Sequence, residues 1–209
     1  MGLDRAERGY RRADFTLGTY LDAHGQPIPY GHRWAFDEGP PQDTYSVTAH
    51  PQRFAPLHAV AEGLIEYLAG RYAVSVARTE TVDLIPMRGA SLTFDRSDAE
   101  FAGVRLVVGG FARRWYPMCG CDACDEDVKD CIEDLEDFVF AVVDGEFAQW
   151  RRGRTIAEAI YSGNSVIWQS SRKVSREESR RARALPGRYP PWPLNPQARK
   201  PASTSSASG

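Results

Sequence analysis

Between residues 125 and 144 the apolar side chains Val128, Cys131, Ile132, Leu135, Val139, Val142 and Val143 fall on one stripe. Asp127, Asp130, Glu133, Asp134 and Asp137 fall off it. Recurrence at i, i+3, i+4 and i+7 predicts an amphipathic helix, and Gly145 closes it. An apolar stripe of that length must be covered by another layer of structure. A second stripe, Leu57, Val60, Ala61, Leu64, Ile65 and Leu68, predicts a helix over 52–70. Pro51 suits its first turn, where a missing N–H is no loss, and Gly70 is the expected stop.

Between and after these helices the period shortens to two. Tyr72, Val74 and Val76 alternate with smaller or polar residues, and 82–86 and 90–95 give further short candidates. The clearest strand is 103–108 (GVRLVV), after which Gly109-Gly110 reads as a bulge before a strand over 111–116. Residues 155–161 and 165–170 flank Ser162-Gly163-Asn164 and read as a hairpin, although 155–161 also fits a turn of helix. Connections this short make neighbours antiparallel, since a parallel crossover needs a dozen or more residues. The expected fold class is α+β, an antiparallel sheet of about four to six strands packed by two main amphipathic helices.

The chain has 209 residues, 42% hydrophobic, with a net charge of −2. That supports one α+β domain, expected over residues 19–172, with a core large enough to need no staples. Residues 1–18 are polar and rich in Gly and Arg, and are expected to be poorly ordered. The stretch from Tyr20 to Tyr45 is punctuated by Gly and Pro but holds Tyr30, Trp34 and Phe36, so it should drape over the core. Residues 173–209 read as a basic helical segment, about 175–184, and a Pro/Ser-rich tail too poor in apolar residues to order itself. Within it, Tyr189-Pro190-Pro191-Trp192-Pro193 reads as disordered or as a strap across the sheet.

Near-zero net charge argues against nucleic acid as a partner. No apolar run reaches the roughly 18–20 residues that span a bilayer, and the N-terminus lacks a secretory h-region. A cytoplasmic location follows, where thiols are kept reduced. The partner class left open is another protein. No phosphate loop, Ser-His-Asp order, metalloprotease helix or dinucleotide fingerprint is present, which favours a non-enzyme.

The chemistry is concentrated in Cys119-Gly120-Cys121-Asp122-Ala123-Cys124-Asp125-Glu126, which holds three of the four cysteines. Cys121 and Cys124 have the two-residue spacing that supplies zinc ligands in pairs, and Cys119 adds a third sulfur across Gly120. Gly120 permits the positive φ that folds the backbone back on itself. Cys119, Cys121 and Cys124 are therefore the expected metal ligands, with zinc the expected ion. Cys131 is excluded: if it and Cys124 are both helical they stand about 10 Å apart along the axis. The fourth ligand is left open among His24, His32, His50, His58, Asp122, Asp125 and water.

Other readings stay beside this one. Cys121 and Cys124 form a C-x-x-C pair at an expected helix N-terminus, which suits a thiol redox protein. Asp122, Asp125, Glu126 and Asp127 count against it, because negative neighbours disfavour a thiolate. A three-cysteine zinc with an open position would also suit a hydrolase. Reduced, idle thiols beside acids that merely complement the helix dipole are the plain alternative. The acidic face of the 125–144 helix reads as solvated before it reads as a docking surface, and His58 as a boundary histidine with a backbone partner.

Two stretches carry a resemblance. Arg33-Trp34, Gly39-Pro40-Pro41, Tyr45-Ser46-Val47-Thr48, Pro51-Gln52-Arg53-Phe54 and Leu57-His58 form the first, and the C-G-C-D-A-C-D-E string the second. Together they resemble an uncharacterised family of small actinobacterial proteins, over about residues 20–150. The resemblance implies an actinobacterial, cytoplasmic setting and no particular activity.

Overall fold

A computed structural model describes residues 5–35, 37, 39–96 and 102–198. Phe36 and the final residues of the tail lie outside them. Five strands, β1 (Val74–Arg78), β2 (Thr81–Pro86), β3 (Leu92–Asp95), β4 (Val104–Val108) and β5 (Ala112–Tyr116), form an antiparallel meander in sequence order. Their inward positions follow the two-residue period: Val82 and Leu84, Leu92 and Phe94, Val104, Leu106 and Val108 are all buried. After a one-turn α1 (Arg5–Arg8), helices α2 (Pro56–Arg71) and α3 (Val128–Val143) bury the two predicted stripes in the same core. The fold is α+β, as the periodicities require.

Strand pairing goes further than the expected layer. A second antiparallel sheet, order β8-β7-β6-β9, is built from β6 (Phe147–Arg152), β7 (Thr155–Ser162), β8 (Ser165–Lys173) and β9 (Gly187–Arg188). The hairpin reading of 155–170 holds. Strand β6 has no clean alternation to read, because Phe147, Ala148 and Gln149 are buried in succession. Gly109-Gly110 is a hairpin turn and not a bulge: Val108 pairs with Ala112, and both glycines have positive φ.

Both long helices begin later than the expected bounds of 52 and 125, at or next to the first residues of their stripes. Pro51–Phe54 close a separate 3-10 turn, and α2 starts at a second proline, Pro56. It runs through Gly70 to Arg71. Helix α3 starts after Asp127, which stays extended and accepts the Lys129 N–H at 2.6 Å as an N-cap. Among the described residues no helix is long and apolar enough to cross a membrane.

Two segments expected to be poorly ordered carry structure. Near the N-terminus, Arg8 pairs with Asp144. Tyr10 donates to Glu136 at 2.9 Å, and Arg12 reaches the same carboxylate at 2.6 Å. Glu136 is a fully buried charge on α3, so the basic run supplies partners that it needs. Near the C-terminus, the Pro-rich segment straps the fold. The Trp192 indole is buried and its N–H donates to the Ala90 carbonyl at 2.9 Å, while the Trp192 backbone N–H donates to the Val143 carbonyl at 2.8 Å. Composition underrates both segments because a few polar contacts to buried or part-buried acids anchor the first and one tryptophan anchors the second. Before Trp192, the segment passes so close to Gly145 that an added Cβ there would meet the Pro191 nitrogen at 2.6 Å.

Candidate metal centre

The Cys119 to Glu126 turn sits between β5 and α3, and three sets of contacts fix its backbone. The Glu126 carboxylate accepts the N–H groups of Met118, Cys119 and Gly120, each at 2.8 Å. The Asp122 N–H donates to the Val47 carbonyl at 2.7 Å, and that of Ala123 to Thr44 at 3.1 Å. Gly120 takes the expected left-handed conformation, φ 74°. Asp125 does so as well, φ 49°, and this turns the chain out of any helical path before Asp127.

The sulfurs of Cys119, Cys121 and Cys124 converge, their Sγ atoms all within 4.8 Å of one another. Cys119 and Cys121 are closest, at 3.2 Å. Three thiolates around one ion at Zn–S distances near 2.3 Å need sulfurs roughly 4 Å apart, so the group can hold a metal. Cys121 is buried, whereas Cys119 and Cys124 are exposed and leave the site open towards solvent. Cys131 takes no part: it is buried on α3, where burial first, then Glu126 and the carboxylates of Asp134, Asp127 and Asp130, push its thiol up to about 12. Cys131 thus lies outside the converging group, but not for the reason that helical spacing suggested, since Cys124 lies in the turn and not at the helix terminus.

No described histidine or carboxylate joins the three sulfurs. His58 bonds the Gly103 carbonyl at 2.8 Å, in line with a boundary histidine. His50 stacks on Tyr20, ring centres 5.0 Å apart. The two acids nearest the sulfurs are spent on arginines. Asp122 lies 3.5 Å from Arg53 and 4.0 Å from Arg33, and also accepts the Ala49 N–H at 3.3 Å. Asp125 accepts the Arg33 backbone N–H at 2.7 Å. Its other oxygen lies 3.0 Å from the Arg33 Nε, a charge contact whose N–H does not point at the oxygen.

These arginines are the residues that sequence reasoning missed. Arg53 also donates to the Gly120 carbonyl at 3.0 Å, and Arg33 to the Asp122 carbonyl. Their guanidinium groups stack on Tyr30, at 4.1 Å for Arg53 and 4.9 Å for Arg33. Asp122 and Asp125 therefore neither complement the α3 dipole nor stand as free negative charges beside the thiols, whereas Asp127 does cap α3. Burial opposes ionisation of Cys121. Hydrogen bonds from the Cys119 thiol, the Cys124 backbone and thiol, and the Ser46 backbone outweigh it and bring the Cys121 thiol down to about 7. Cys124 is held up to about 12, first by its hydrogen bond to Cys119, then by burial and by Cys121.

Fold and site together define an α+β protein with a three-cysteine turn clamped by arginines. The chain belongs to the DUF6226 family, described as a family of unknown function, which matches residues 17–196. That span takes in the aromatic loop, the cysteine turn and the C-terminal strap. No curated protein and no solved structure matches the chain.

Proposed function

We propose that this is a non-enzymatic cytoplasmic binding protein in which Cys119, Cys121 and Cys124 form a structural zinc knuckle. One observation carries the reading: three thiols converge within 4.8 Å on a backbone already held by Glu126, Arg33 and Arg53. A bound zinc would supply a cross-link that ties β5 to the start of α3, its charge favouring the thiolates. Solvent or a group from outside the chain would complete the tetrahedron.

Metal analysis of protein purified without chelator, with a free-thiol count, tests this. About one zinc per chain is expected, with the three thiols protected until chelation. Cys121→Ser should lose the metal, and Cys131→Ala should retain it. The same geometry supports a second reading. Cys119 and Cys121 at 3.2 Å, with the Cys121 thiol near 7, could close a disulfide by passing two electrons to an external oxidant and releasing two protons. Metal-free protein whose thiols cycle reversibly would select that reading, and metal-free protein with reactive but non-cycling thiols would reject both.

A further inference from the structure

A groove of about 890 Å³ runs beside the cysteine turn, between the first sheet and the second, with α3 along it. Both Cys131 and Asp144 line it, and 13 residues of helix between them span roughly 20 Å. Its walls hold side chains that a closed core would have buried: Trp115 is 50% exposed, Ile167 64% and Trp168 38%. Exposed apolar residues gathered in one place mark a contact surface more often than scattered ones do.

The charges along this groove are unequal. Arg8 is consumed by Asp144, and Arg114 by Glu158 at 2.8 Å. Glu126 is occupied with the backbone of the cysteine turn. Asp134 and Glu146 line the groove without an ion pair among the described residues, and of the arginines that line it only Arg113 is not already paired with an acid. A cationic occupant fits.

One buried polar group says more about it. The Arg114 guanidinium lies between the rings of Trp168 and Phe138, at 4.0 Å and 4.8 Å, and its Nη2 is buried with no hydrogen-bond partner. An unmet buried donor costs roughly 1–3 kcal/mol, so this one asks for an acceptor from the occupant. A simple organic cation brings none. An extended polypeptide brings a carbonyl at every residue, and its side chains alternate between two faces. The groove's length holds about six such residues at roughly 3.3 Å each. The strands that border it, β5 and β8, are also the outermost strands of their sheets, which suits a guest offering backbone groups.

We infer that the groove binds an extended basic segment of another protein, its apolar side chains against Trp168 and Ile167 and its arginines or lysines along Asp134 and Glu146. This deepens the binding-protein reading and rests on it, but it does not require the metal.

Display of random octapeptides against the full-length chain tests the assignment, with affinities of selected peptides then measured by tryptophan fluorescence. Selected peptides are expected to alternate Arg or Lys with apolar residues. Their affinity should fall at least about tenfold in the Asp134→Asn/Glu146→Gln double variant and in Trp168→Ala. Glu66→Gln, on the exposed side of α2, should leave it unchanged. No selection, selection of acidic or uncharged peptides, or equal affinity for the groove variants overturns the proposal. So does saturable binding of benzyltrimethylammonium by a chain that selects no peptide. Titrations on chelated protein keep the two readings apart: zinc content tests the turn, and peptide affinity tests the groove.

Discussion

Arg53 is 4% exposed, and it reaches the cysteine turn at both the Asp122 carboxylate and the Gly120 carbonyl. Asp122 is buried as well. Removing one member of a buried pair strands the other without water, a loss of about 3–5 kcal/mol. Arg53→Met keeps an apolar stem against Phe54 and Tyr30, so the variant is expected to lose about 3 kcal/mol and to hold the proposed zinc less tightly. Urea unfolding and zinc retention under chelator challenge measure the two effects, and a loss below about 1 kcal/mol would show that the pair does not hold the turn. The sulfurs of this site were legible because they lie within six residues. Their arginines were not, since Arg53 and Arg33 stand 67 and 92 residues from the groups they bind. The only early signal was that Arg33-Trp34 and Arg53-Phe54 belong to the same resemblance as the cysteine string.

At the scale of elements, α2, α3, β5 and the chain leaving α2 enclose three weak acids in their neutral forms. Burial is the first cause in each: Cys131 on α3 and Tyr72 after α2 are both pushed up to about 12, and Tyr116 on β5 is pushed up as well. In the unfolded chain a thiol ionises near 8.5 and a phenol near 10. The folded values lie above the unfolded ones, so the contribution is complete below about pH 8.5 and is lost as pH rises towards 12. The slope is at most about 1.4 kcal/mol per pH unit for each group. Urea unfolding of wild-type protein should show stability falling from about pH 8.5, and Cys131→Ala should make the fall between about pH 8.5 and 10 shallower, the raised Cys124 thiol supplying the rest. Unchanged stability up to pH 11 would contradict the burial of these groups. The helices that enclose them were readable because their stripes have a clear period. Their starts were not, because the positive φ of Asp125 and the separate 3-10 turn at Pro51 reflect contacts made in three dimensions.

At the scale of the molecule, the two sheets and two helices are joined by a segment whose composition argues against order. Residues 187–195 touch the fold at successive points. β9 pairs with β6, the Tyr189 ring stacks on Phe147 at 5.8 Å, and the Trp192 N–H closes on Val143 at the end of α3. Pro193 accepts the Ala73 N–H at 2.8 Å, and the Asn195 N–H donates to Arg71 at 3.0 Å, tying the same segment to the end of α2. Trp192, 4% exposed, packs edge-on against Tyr72 at 5.9 Å and is the one large apolar anchor in the segment. Averages over a Pro-rich stretch cannot show this, because one buried indole outweighs many polar neighbours. Trp192→Ala is expected to lose about 3–5 kcal/mol, which lowers the melting temperature of a chain this size by roughly 10 °C. Trp192→Phe keeps most of the apolar burial but gives up the bond to Ala90, so about 1–3 kcal/mol of the loss should persist through the unsatisfied carbonyl. Thermal unfolding of both variants decides it. If Trp192→Ala melts within about 2 °C of wild type, the strap contributes no stability, and the two sheets hold together through α3 and the core beneath it.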